Sequence, residues 1–147
     1  LLNHDVVIDP GAAAILARGS YTRALQLVGE GWIRWREWLA GEMGHLQGQS
    51  TTVLLALAEN LAARKAQLPD TLAWLLSWYR DLMVFPLQPG QLINSDLAHQ
   101  IQAAAADADR QGLINGMRAV HNALRDLQAN ANPRLTMESL VLQLAAV

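Results

Sequence analysis

The sequence contains no cysteine, which removes disulfides, thiolate metal ligands and a cysteine nucleophile in one step and suits a cytoplasmic protein. Charge is scarce. Acidic and basic residues make up 16% of the chain, against about 25% in an ordinary soluble domain. Lysine is almost missing, with Lys65 alone among eleven basic residues. The formal net charge of −2 gives no overall basic field to attract nucleic acid. No apolar run reaches the roughly 18 residues of a membrane span, and no basic-then-apolar leader opens the chain, so no membrane partner is expected. The phosphate-loop pattern Gly-x-x-x-x-Gly-Lys-Ser/Thr does not occur, nor does a Gly-x-Ser-x-Gly elbow. Neither of those routes to nucleotide binding or acyl transfer is open, and no catalytic residue, cofactor or intrinsic enzymatic activity is expected.

What remains is rich in core material. Hydrophobic residues form 52% of the sequence, partly because alanine is abundant and sits comfortably on exposed helix faces. The excess also implies apolar surface reserved for an interface. Ala, Leu, Gln and Arg favour helix, and Val6–Val7–Ile8 is the only strand-like triplet, so the chain reads as all-α. Leu1 rather than Met opens the sequence, which implies residues upstream.

Asp9–Pro10 starts a short helix ending at Gly19, and Ser20 caps a second over Tyr21–Val28. After Gly29–Glu30–Gly31, helical spacing resumes from Trp32 to Met43. Gly41, Gly44 and Gly48 make residues 44–50 the expected linker. Five helical stretches follow: Ser50–Lys65; Pro69 to about Phe85; one capped by Asn94 or Ser95; one from about Ala108; and one opened by Asn132–Pro133. In the fourth, Leu113, Met117, Val120, Leu124 and Leu127 form an amphipathic stripe. In the second, Leu72, Leu75, Leu76, Tyr79 and Met83 form the expected inner stripe, with Trp74, Trp78 and Phe85 on another side. A helix apolar on several sides is central to its bundle or shared with a neighbour. Trp74, Trp78, Arg80 and Asp81 are therefore the candidate subunit interface, and the central-core reading accounts for most of the apolar residues.

Metal chemistry finds little purchase. Glu42 and His45 have the Glu-x-x-His spacing of di-iron bundles, which need two copies, and only one is present. Asp96 and His99 stand three apart, read as a helix-start acid and a surface residue. Asp107 and Asp109 sit at a helix start, where negative charge is stabilising. Arg34–Arg36 and Arg64–Lys65, the densest basic clusters, read as solvated helix faces.

Three segments, taken in order, resemble the clamp-loader subunits of bacterial DNA polymerase III, and the delta-prime family most. Ala17–Arg18–Gly19–Ser20–Tyr21–Thr22–Arg23–Ala24–Leu25 is similar to the Gly-Ser-Pro-Gly-x-Ala-Leu turn and helix of the AAA+ lid. Arg23 falls at the sensor 2 position; Tyr21 and Thr22 replace the usual Pro and Gly, so Arg23 is taken as vestigial. Leu72–Ala73–Trp74–Leu75–Leu76–Ser77–Trp78–Tyr79–Arg80–Asp81–Leu82 with Ile93–Asn94–Ser95–Asp96 resembles a collar helix and its Asn-x-Asp turn. Asn130–Ala131–Asn132–Pro133–Arg134–Leu135 with Glu138–Ser139–Leu140–Val141–Leu142 resembles the Asn-x-Asn-Pro-x-Leu…Glu-x-Leu-Leu-Leu ending shared with tau/gamma collars. The resemblance implies the end of an AAA+ lid over residues 1–44 and a helical collar over 49–147. It implies a non-catalytic assembly module whose partners are the delta and tau/gamma subunits, with the sliding clamp and primed DNA met only through the whole complex. The alternatives are the collar of the tau/gamma ATPase, a ligand- or metal-binding helical bundle, and a helical regulatory or adaptor domain.

Overall fold

The computed structural model describes residues 31–147, and within them the chain is all-α, with six α-helices and no strand. The expected helices over 10–28, and Arg23 with them, lie outside the described residues.

Helix α1 spans Trp32–Gly44 and is preceded by Gly31 at φ 72°, a left-handed conformation that glycine adopts without cost. Helix α2, Thr51–Ala63, is capped by Ser50, whose Oγ accepts the Val53 N–H at 3.3 Å. A 3₁₀ turn over Lys65–Gln67 leads into α3, Leu68–Val84, with Pro69 in its first turn. The segment 85–97 that follows contains two further 3₁₀ turns, Pro89–Gln91 and Ser95–Leu97. Helices α4 (Ala98–Ala106), α5 (Arg110–Gln128) and α6 (Pro133–Ala146) complete the chain. Asp109 caps α5 through the Gly112 N–H, and Asn132 caps α6 by accepting the Leu135 N–H at 3.0 Å. The helix pattern read from the sequence therefore holds, with ends moved by a few residues.

Helix α3 is the hub. It packs against α4 and α5, α5 packs on α6, α6 lies along α2, and α1 covers α4. Leu72, Trp74, Leu75, Trp78, Tyr79 and Leu82 are all buried, so α3 is enclosed on several sides. Burying each leucine contributes about 1.5–3 kcal/mol. The expected inner stripe needs correcting. Leu76 and Met83 of that stripe are half-buried, whereas Trp74 and Trp78 of the other side are among the most deeply enclosed side chains, and Phe85 beside them is half-buried. The two indoles pack against each other at 5.6 Å between ring centroids.

Gly116 explains how α5 approaches α3 so closely. A Cβ added there would stand 2.7 Å from Cε1 of Tyr79, so only glycine fits under that ring. The centre of the α5 stripe is accordingly small, formed by Gly116, Ala119 and Ala123 beside Leu113 and Val120, with Met117, Leu124 and Leu127 half-buried at its margins.

The glycines between α1 and α2 make a turn within one packed core. Gly48 has φ 85°, Leu46 is buried, and Gln47 Nε2 donates to the Val147 carbonyl at 3.0 Å, tying the approach to α2 to the end of α6. Trp32, Ile33, Leu39 and Ala40 of α1 belong to the same buried cluster as the later helices. The division expected at residues 44–49 is therefore not a break in packing.

Candidate partner surface and its buried polar support

Among the described residues, a buried polar joint links α1, α3 and the segment leading to α4. Arg36, expected on a solvated face, is fully buried. Its guanidinium forks onto Asp96, with Nη1–Oδ2 at 2.9 Å and Nη2–Oδ1 at 3.1 Å, and Nη2 also donates to Asn94 Oδ1 at 2.7 Å. Bidentate pairing of this kind fixes direction as well as distance. The Arg36 Nε is buried without a hydrogen-bond partner.

Asn94 lies at the centre and uses its whole amide. Its Oδ1 also accepts the Trp74 indole N–H at 3.0 Å. Its Nδ2 donates to Ser77 Oγ at 3.1 Å and to Asp81 Oδ2 at 2.9 Å. Two acceptances and two donations are the full capacity of an asparagine side chain. Asp81, also fully buried, accepts the backbone N–H of Ile93 at 2.9 Å and of Asn94 at 2.8 Å. Arg80 Nη1 closes the cluster, donating to Asp81 Oδ1 at 2.9 Å and to the Gln91 carbonyl at 2.7 Å. Two guanidiniums face two carboxylates, which offsets the cost of burying each ion.

These contacts settle where the four interface candidates sit. Trp74, Trp78 and Asp81 lie inside the chain's own core, and Arg80 alone has an exposed portion, with 38% of its side chain accessible. Sequence reasoning picked out the Asn-x-Asp turn and the Trp-rich helix but not Arg36, the residue that joins them. Asp96, read as a helix-start acid, is the partner of Arg36 instead. Arg64 stays exposed, as expected, with its guanidinium 4.1 Å from the Trp35 ring centroid, and Trp35 stacks on Trp38 at 4.8 Å. Of the acid–histidine pairs, His45 Nδ1 sits 2.9 Å from the Gly41 carbonyl and His99 is exposed. Among the described residues no three His, Cys, Asp or Glu side chains converge as a metal site.

Helix α6 carries an outward-facing stripe with two of the exposed large hydrophobic residues, Leu135 and Leu142. Leu135, Ser139, Leu142 and Ala146 follow at spacings of four, three and four, all exposed and all uncharged. Leu135 is 65% and Leu142 40% accessible. The Arg134–Glu138 ion pair lies on the same helix and borders this stripe. On α2, which packs along α6, Val53 and Leu55 are also exposed. Both helices bury one face against each other and keep apolar residues on another.

Residues 34–146 match the family model described as DNA polymerase III, delta subunit, C terminal. The chain belongs to this family. The match spans more than half of the sequence, begins inside α1 and runs to the end of α6, so it takes in the joint and the apolar stripe together. No curated protein and no solved structure gives a significant match. Membership carries a clamp-loader role in DNA polymerase III, and the all-α architecture agrees with it. Among the described residues, no helix is long and apolar enough to cross a membrane.

Proposed function

We propose that the chain is the collar-type assembly module of a delta-prime-like clamp-loader subunit, acting in the cytoplasm without a cofactor or a reaction of its own. Its neighbours are the delta and tau/gamma subunits, and it meets the sliding clamp and primed DNA only through the assembled loader. The observation that carries this reading is the outer stripe of α6, where Leu135 and Leu142 stand exposed one above the other, bordered by the Arg134–Glu138 pair. Apolar helix faces of this kind find their burial in another chain. The polar joint supports the same reading. Apart from the Arg36 Nε, its side chains satisfy one another's hydrogen bonds and so stiffen the scaffold that presents the stripe. Arg80 contributes from the surface, while Trp74, Trp78 and Asp81 hold it from within. By the sequence resemblance, residues 1–44, with Arg23 as a vestigial sensor 2 counterpart, correspond to the end of an AAA+ lid, and residues 49–147 to the collar.

The test is co-purification of the full chain with separately purified delta and tau/gamma subunits, comparing wild type with Leu142→Glu. Wild type should be retained, and the charged variant should bind at least about tenfold more weakly with an unchanged melting temperature. Equal retention of both proteins, or retention of neither, overturns the assignment.

A further inference from the structure

Residues 85–106, which leave the end of α3 and run through α4, have little apolar anchorage. Among them only Asn94, Leu97 and Ile101 are buried. Pro86 and Pro89 have no N–H to donate, and the stretch before α4 forms only 3₁₀ turns. The hold on this segment is largely polar. Asn94 bonds to Trp74, Ser77 and Asp81 of α3, and Asp81 accepts the backbone N–H groups of Ile93 and Asn94. Arg80 reaches the Gln91 carbonyl, and Arg36 of α1 grips the segment through Asn94 and Asp96. The remaining helices are held differently. Helix α2 lies along α6, α6 on α5 and α5 on α3, with Leu54, Leu57 and Leu61 of α2 and Leu140, Val141 and Leu144 of α6 all buried.

We infer that residues 85–106 form a strap latched across α3, which opens as a unit while α2, α3, α5 and α6 stay packed. Opening costs less at this joint than substitution does. A substitution in the closed state orphans buried partners, whereas opening hands each of them to water, so every hydrogen bond gives up only its modest net contribution. From the strap itself only Leu97 and Ile101 leave the core, far less apolar burial than the bundle helices would lose by separating. The open form uncovers the Trp74 indole and the Asp81 carboxylate, both of which the closed form keeps at 0% exposure. Half of the latch belongs to α1, because Asn94 Oδ1 accepts from Trp74 of α3 and from Arg36 of α1 together. A displacement of α1 therefore loosens the strap, and closure of the strap in turn fixes α1, since coupling of this kind is reciprocal. The α6 stripe takes no part, so the device is independent of the partner that stripe meets.

Native-state hydrogen–deuterium exchange of the full chain in low urea tests this. The amides of Ile93, Asn94 and residues 102–106 should exchange together, at least about tenfold faster than the helix-interior amides of α5 and α6 and with a weaker urea dependence. Two variants separate local from global opening. Asp96→Asn keeps the shape of the fork and removes its charge, and should speed the strap amides about tenfold. Val141→Ala lies in α6, so it should speed exchange in α5 and α6 about tenfold and leave the strap amides unchanged, because its contacts persist when the strap opens. Circular dichroism and thermal melts establish that both variants are folded. A common rate and urea dependence for strap and bundle, or an equal acceleration of both by Val141→Ala, would show that the segment opens only with the whole fold and overturns the inference. Strap amides that do not respond to Asp96→Asn would reduce the opening to fraying without a latch, and overturn it equally.

Discussion

Replacing Asn94 by alanine removes four side-chain hydrogen bonds from the least accessible polar site in the fold. The indole N–H of Trp74 loses its acceptor, Arg36 Nη2 loses its shortest one, and Asp81 Oδ2 and Ser77 Oγ each lose a donor. Water cannot readily replace the missing amide, because Asn94, Trp74, Arg36 and Asp81 are all 0% exposed. A buried donor left unpaired costs about 1–3 kcal/mol, more beside a charge. Two orphaned donors, partly offset by the remaining bonds of Arg36 to Asp96 and of Asp81 to the backbone, give an expected loss of about 3–5 kcal/mol. That is a large fraction of the roughly 5–15 kcal/mol that holds a domain together. Urea unfolding followed by far-UV circular dichroism measures it, with the midpoint falling while the slope stays constant. A companion variant, Asn94→Asp, preserves shape but faces a carboxylate with Asp81 at the 2.9 Å contact, and should be at least as damaging. A loss below about 1 kcal/mol for Asn94→Ala would refute the view that this joint locks α1 and the 92–97 segment onto α3.

The other expectations bear on packing and pH. Gly116→Ala should destabilise by about 1–2 kcal/mol despite alanine's higher helix propensity, because its Cβ meets the Tyr79 ring; equilibrium unfolding checks the sign. Leu75→Ala should cost about 2–5 kcal/mol and Leu76→Ala clearly less, since Leu75 is buried and Leu76 half-buried; equal losses would contradict the observed packing of α3. Burial holds the Tyr79 phenol above its ordinary pKa of 10.0, so the unfolded chain releases that proton first. Stability should be intact below pH about 10 and fall above it by up to about 1.4 kcal/mol per pH unit, and Tyr79→Phe should flatten that decline in pH-dependent melts.

Local signals made the helices legible. Asn132 is read as a cap and makes the backbone bond such a residue makes, and Ser50 and Asp109, read only as helix starts, do the same, whereas Asn94, expected as a cap, makes no cap bond. The stripe of α5 was readable for the same reason. The polar joint was not, because its members are scattered: Arg36 and Asp96 are 60 positions apart and Asn94 and Asp81 are 13. Helical periodicity places Arg36 on a turn but cannot say that an asparagine two helices later will cover it. An arginine between two tryptophans looks like surface until its partners are known. The assignment of Trp74 and Trp78 to a partner face had a similar source. Composition shows that α3 is apolar on several sides, but which neighbours enclose it depends on the crossings of α4 and α5, and those turn on Gly116 and the small residues beside it. The glycines at 44–48 punctuate the chain between α1 and α2 without dividing the core, because Leu46 and the Gln47–Val147 bond hold the turn in place.

Sedimentation velocity of the full chain titrated with the tau/gamma and delta subunits separates assembled from free protein. The chain's boundary should move entirely into a faster-sedimenting complex of defined stoichiometry, and Leu142→Glu should return it to the position of the free protein. Independent sedimentation of the wild-type chain at every subunit concentration would contradict a role in loader assembly.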